Sequence, residues 1–190
     1  MNTSERVLFF WAFNPLHNWH LKVINILRGV AKRVDVYVGN SDRSWGRLSY
    51  DTRLKLGRFA IEGMDNCFIS DAEKLEQISE LDYESIAFGS DLLRLRDNFW
   101  LPDKPFSTQQ WNMFKRFQHV FIFNRMGHLI WDKERQYIQE LQSSTILESG
   151  SPLTGRGLRE RFCRGEDISA DLPNWILSMI RSEAETVWKK

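Results

Sequence analysis

Apolar positions follow two rhythms that alternate along most of the chain. Arg6–Phe13 is an almost unbroken apolar run of strand length, and Val34–Val38 alternates apolar with polar. Cys67–Ile69, Ser85–Phe88 and Val120–Phe123 are further short apolar stretches, with Thr145–Leu147 a weaker sixth. Between them, spacings of three and four predict helices over Asn18–Arg33, Ser49–Gly63, Asp91–Asn98, Thr108–Phe117 and Asp132–Gln142. Strand–helix alternation of this kind predicts an α/β fold, a mostly parallel sheet with helices on both faces.

After Leu147 the pattern is helical only. Ser149–Pro152 is a turn-rich punctuation, followed by predicted helices at Leu158–Arg164 and Asn174–Lys189. In the second helix Trp175, Ile176, Met179, Ile180, Val187 and Trp188 form a stripe expected to pack on the core. We therefore read residues 1–148 as an α/β core and 149–190 as a C-terminal helical segment of the same domain. Asp97–Ser107, with Pro102 and Pro105, is expected to be a loop.

Composition narrows the partners. The 190 residues suit one domain, and 42% hydrophobic with 27% charged residues is the balance of a chain that folds. A net charge of +1 supplies no global field for a long polyanion, so no nucleic-acid partner is expected. The longest apolar run, Val7–Phe13, is far shorter than the ~18 residues a bilayer requires, and no signal-peptide cleavage pattern follows it. No membrane partner and a cytoplasmic location are the expectation. Cys67 and Cys163 make neither a disulfide framework nor a zinc motif, and both are expected to be reduced packing residues.

Candidate chemistry gathers where an open parallel sheet binds ligands, beyond the carboxyl ends of its strands. Asn14, Pro15, Leu16, His17, Asn18, Trp19 and His20 follow the first strand, and Gly39, Asn40, Ser41 and Asp42 the second. Gly89, Ser90 and Asp91 follow the fourth, and Asn124, Arg125, Met126, Gly127 and His128 the fifth. His17 and His20, three apart at a helix start, share a face, and the helix N-terminus adds unpaired N–H groups and partial positive charge. Phosphate is the expected occupant; a metal pair is the alternative, although a catalytic zinc site wants a third protein ligand. His119 and His128 are expected to be structural.

These residues carry a resemblance. Phe13-Asn14-Pro15-Leu16-His17-Asn18-Trp19-His20 is similar to the FxPxHxGH signature of the nucleotidyltransferase superfamily. Ala87-Phe88-Gly89-Ser90-Asp91, His119 to Gly127, and Thr154-Gly155-Arg156-Gly157-Leu158-Arg159 with Gly165 resemble, in order, three further stretches of nicotinamide or nicotinate mononucleotide adenylyltransferases. The likeness runs from about residue 6 to about residue 168. It departs from the family pattern at Trp19, where glycine is usual, at Trp11 or Ala12 before the first motif, and at Arg156, where a hydroxyl residue is usual.

The resemblance implies a Rossmann-like sheet and an adenylyltransferase that joins the AMP part of ATP to nicotinamide or nicotinate mononucleotide, giving an NAD-type dinucleotide and pyrophosphate. It implies catalytic roles for His17, His20 and Arg159, and ATP contacts for Phe13, Asn14, Gly89, Asp91, Thr154 and Arg156. Trp100, Trp111, Arg125 and Arg53 fall where the pyridine mononucleotide would bind, and Mg²⁺ would enter through the substrate phosphates rather than through protein ligands. For Arg53 a solvated helix-face charge is the alternative, and for Gly89-Ser90-Asp91 a plain helix cap. A phosphopantetheine- or CTP-dependent transferase and a non-catalytic nucleotide-binding regulator remain the rival functions, and a homo-oligomer stays open.

Overall fold

The computed structural model describes residues 4–39, 48–70, 78, 83–90, 112–124, 132–148, 150 and 153–189, without the side chains at 133 and 134. In chain order the described elements are β1 (Ser4–Trp11), α1 (Asn18–Val30), β2 (Ala31–Val38), α2 (Tyr50–Ile61), β3 (Cys67–Ile69), β4 (Ser85–Gly89), β5 (His119–Asn124), α3 (Asp132–Gln139), β6 (Ser144–Glu148), α4 (Gly155–Cys163), a 3₁₀ turn at Ser169–Asp171 and α5 (Asn174–Val187).

All six strands pair in parallel in the order β3-β2-β1-β4-β5-β6. The chain thus runs outward from β1 through β2 to β3, then returns to lay β4 on β1's other side. That reversal opens a crevice at the carboxyl ends of β1 and β4, where a doubly wound sheet takes its ligand.

Strand alternation splits the core between the two faces. Val7, Phe9, Val34, Val36 and Val38 meet Val23, Ile24 and Leu27 of α1, Leu56 and Ala60 of α2, and Ile176, Ile180, Ala184 and Trp188 of α5. Leu8, Tyr37, Ile86, Phe88, Val120 and Ile122 face the other way, against Met113, Phe114, Phe117 and Leu141, with Tyr137 and Ile138 of α3 at the margin. The expected α/β architecture, with helices on both faces, is what forms.

Several boundaries differ from the sequence reading. α1 stops at Val30 and β2 starts at once, because Arg33 and Asp35 are drawn into strand register beside β1. There Asp35, almost fully buried, accepts from Arg6 Nε (2.6 Å) and Arg33 Nη2 (2.9 Å). Met179 of the α5 stripe turns outward and Ala184 takes an inner place, since a straight helix carries only part of so wide a stripe to the core. Cys67 is buried as expected, but Cys163 is exposed near the end of α4. The predicted helix Asp91–Asn98 and the loop Asp97–Ser107 lie outside the described residues, as do residues 108–111 of the predicted helix Thr108–Phe117, of which 112–114 are helical. Among the described residues no helix is long and apolar enough to cross a membrane.

Candidate active site

The site grows out of the β1–α1 loop. Phe13, fully buried, holds a left-handed φ of 47°, a conformation a bulky side chain rarely adopts, and the Asn14–Pro15 peptide is cis. The chain reverses here within a few residues and delivers His17 to the N-cap of α1.

His17 and His20 come together as their spacing predicts, with ring centroids 4.0 Å apart. The His17 backbone N–H donates to His20 Nδ1 at 3.1 Å. That bond makes Nδ1 an acceptor, so in the neutral ring the proton sits on Nε2, which becomes the donor. The histidine thereby does at N3 what a Glu or Gln does in a capping box.

Around this pair the aromatic rings close tightly. Trp11 lies 5.2 Å from the His20 ring and 4.7 Å from Trp19, Phe13 lies 5.0 Å from His20, and Trp19 is 5.2 Å from His20 and 6.2 Å from His17. His17 is 0% and His20 1% exposed. Trp11 and Trp19 are therefore the indoles packed against the imidazoles.

Arg159 of α4 reaches the same loop, its Nη1 donating to the Asn14 carbonyl at 2.6 Å. The helix approaches closely because Gly155 has no side chain: a Cβ there would sit 2.5 Å from that carbonyl oxygen. Thr154 caps α4, its Oγ1 accepting from Gly157 N–H at 2.9 Å. Asn14 also binds α2's approach, its Oδ1 accepting from Leu48 N–H at 3.0 Å. Three helix N-termini thus meet at one asparagine.

They are not equivalent. At α2, Ser49 caps Thr52, Asp51 lies in the first turn, and the Glu183 carboxylate of α5 accepts from Ser49 N–H and Thr52 Oγ1. Its positive end is already met by negative charge. α1 and α4 carry no acidic residue in their first turns. An anion entering the crevice is favoured by those two ends, where His17, His20 and Arg159 also lie.

Arg53 corrects the picture of a solvated helix-face charge. It is fully buried, with Nε donating to Leu48 O (3.0 Å) and Nη1 to Ala12 O (3.0 Å) and Gly39 O (2.5 Å). One guanidinium so ties the carboxyl ends of β1 and β2 to the start of α2. Its acceptors are loop carbonyls that no sequence pattern reveals. Arg156 is not brought to the others: its side chain is 82% exposed and pairs with Glu160 one turn along at 2.8 Å.

Gly89 ends β4, buried, opposite Phe123. Beyond it Ser90 N–H donates to Phe123 O and Ser90 Oγ to Asn124 Oδ1, both at 3.0 Å, while Asn124 Nδ2 donates to Glu148 Oε1 at 2.9 Å. This chain across β4, β5 and β6 went unassigned in the sequence, although a buried asparagine closing an apolar strand was a usable signal. Asp91, Trp100, Trp111 and Arg125 lie outside the described residues. His119, at the opposite end of β5, bridges Ser143 and Thr145 hydroxyls, and burial holds its pKa below the ordinary value. Among the described residues no group of three His, Cys, Asp or Glu side chains could hold a metal ion.

No family model matches the chain, and no curated protein matches it in sequence. Solved structures do match in fold. Nicotinic acid mononucleotide adenylyltransferase of Plasmodium falciparum, complexed with APC, superposes with a TM-score of 0.67 over 97% of each chain at 15% identity. The same protein complexed with NaAD gives 0.68 over 95% of this chain and 96% of that one, also at 15% identity. The likeness is to the whole fold, end to end.

Proposed function

We propose that the chain is a nucleotidyltransferase of the mononucleotide adenylyltransferase type, transferring the adenylyl group of ATP to a pyridine mononucleotide. The observation that carries this reading is the Arg159–Asn14 contact. It sets the cation and N-terminus of α4 against the loop that bears His17 and His20, so that two helix ends without acidic residues and three donor side chains would serve one anion site. A fold shared end to end with nicotinic acid mononucleotide adenylyltransferase supports it.

In this reaction a phosphate oxygen of the mononucleotide attacks the α-phosphorus of ATP, the bond to the bridging α–β oxygen breaks, and pyrophosphate leaves with that electron pair. The attacking oxygen is already an anion, so no protein base is required. What remains for the protein is in-line alignment and neutralisation of charge moving to the leaving group. His20 Nε2–H would donate to the reacting phosphate with His17 beside it, and Arg159 would hold the outer phosphates. Mg²⁺ would enter with the substrate phosphates, whose oxygens would hold it and whose charge it would neutralise. Gly89 and Asp91 would flank the adenosine, and Trp100, Trp111 and Arg125 the pyridine side.

The test is pyrophosphate release with Mg²⁺, ATP and either the amide or the acid mononucleotide. Formation of the dinucleotide with one of them is expected, and no product with either rejects the reading. His20→Ala is expected to lower turnover by roughly 10²–10³, as the loss of one preorganised donor does; His17→Ala should fall similarly. Wild-type rates in both variants would remove the pair from the mechanism. The complete burial of both imidazoles favours a second reading, a nucleotide-binding module without catalysis, which calorimetric ATP binding without pyrophosphate release would support.

A further inference from the structure

The imidazole pair must touch phosphate if it is to act, yet it is shut away. A phosphate oxygen needs to come within about 3 Å of a ring nitrogen to accept its proton, and rings exposed by 0% and 1% admit no such group. Some part of the surrounding shell has to move. Of the three aromatic rings set against His20, Phe13 is fully buried beneath β1 and Trp19 is 1% exposed within the core on α1. Trp11 differs: it is the last residue of β1 and only partly buried. Its backbone is fixed, since Trp11 O accepts from Gly39 N–H at 2.9 Å and the residue pairs with Val38, so the freedom left is in the side chain.

We propose that the Trp11 indole is a gate over the His17–His20 pair: closed, it stacks on Phe9, packs tilted against Trp19 and meets His20 edge-on, and a triphosphate gains the imidazoles only when it swings out. The proposal deepens the reading above and rests on it for the identity of its ligand. Ring contacts with Phe9, Trp19 and His20 hold the closed form, which favours it over the open one on the order of tenfold. A polyphosphate drawn to Arg159 and the helix ends then meets the imidazoles in only about a tenth of the molecules, the open fraction.

The experiment measures the imidazoles directly. The full-length protein is treated with diethylpyrocarbonate, and modification of the peptide carrying His17 and His20 is followed by mass spectrometry, with His119 as an internal standard. In the wild type the pair should react slowly; in Trp11→Ala it should react about tenfold faster, and inorganic tripolyphosphate should then protect it. Should Trp11→Ala fold poorly, Trp11→Leu keeps more of the apolar contact and still removes the indole. A third measurement leaves the wild type intact: in protein labelled with 5-fluorotryptophan, the Trp11 resonance, assigned with Trp11→Phe, should shift on adding ATP or tripolyphosphate. Equal modification rates in a folded variant overturn the gate. So does an unmoved Trp11 resonance in wild-type protein saturated with ATP, and that result leaves the transferase reading standing. Faster modification in a variant that binds neither ATP nor tripolyphosphate supports the gate while removing the transferase reading.

Discussion

Replacing Gly155 with alanine tests whether α4 is docked on the β1–α1 loop. The added Cβ would stand 2.5 Å from the Asn14 carbonyl oxygen and 3.2 Å from its carbon, both backbone atoms. Even favourable carbon–oxygen contacts run at about 3.3–3.6 Å, leaving a shortfall of roughly 0.8 Å. The loop cannot yield easily, because Arg53 holds Ala12 O and Leu48 N–H holds Asn14 Oδ1, so the helix has to back away. A retreat of that size stretches the Arg159–Asn14 bond from its 2.6 Å to the limit of hydrogen bonding. Hydrogen bonds to charged groups contribute about 1.5–3 kcal/mol, and alanine's helix preference over glycine returns about 0.5–1 kcal/mol. A net loss of roughly 1–2 kcal/mol is expected. Gly29, in the last turn of α1, has no heavy atom within 4 Å of the same ideal Cβ, so Gly29→Ala should stabilise by about 0.5–1 kcal/mol. The two substitutions are chemically identical and should carry opposite signs in urea unfolding at unchanged m-value. Because the retreat also moves Arg159, turnover in Gly155→Ala should drop by up to about 10². If both variants prove more stable than the parent, α4 is not seated on Asn14 and the argument for a joint anion site fails with it.

Arg53→Met removes the partner of one buried and two part-buried loop carbonyls, and a loss of about 2–3 kcal/mol is expected by denaturant titration; a loss under about 1 kcal/mol would mean those carbonyls find other donors. His119 supplies a pH dependence remote from the site. Burial lowers its pKa from the ordinary 6.5, so the unfolded chain binds the proton more readily; the associated stability is complete above that value and declines as pH falls below it. In His119→Gln the decline in unfolding free energy between about pH 7.5 and 5 should be shallower than in the parent, and parallel curves would refute the assignment.

Strand identity was legible because each of the six strands is a local apolar run or, in β2, an alternation, and even the three-residue β3 and the half-exposed β6 stood where the pattern placed them. The His17–His20 pairing was legible for a similar reason: a three-residue step on a helix is local geometry. What could not be read were contacts set by chain reversal. Arg53 looks like any arginine on a charged helix, and its burial follows only once the ends of β1 and β2 and the start of α2 converge on it. Arg156 shows the converse. It shares a motif with Arg159, three residues away, yet the nearness of α4 to Asn14 turns Arg159 inward, while Arg156 finds Glu160 in solvent.

The same convergence sharpens the functional question. Here charge and access are separated. Helix ends and Arg159 favour an anion at Asn14, whereas Trp11 and Trp19 deny it the imidazoles. Binding and chemistry should therefore respond differently to mutation. Loss of Arg159 should weaken polyphosphate binding, because it removes attraction common to the bound and reacting states. Loss of Trp11 should leave that attraction in place and change only the fraction of molecules in which His17 and His20 can take part. If the two substitutions affect binding and turnover in the same proportion, the site works as one unit and the indoles are packing alone.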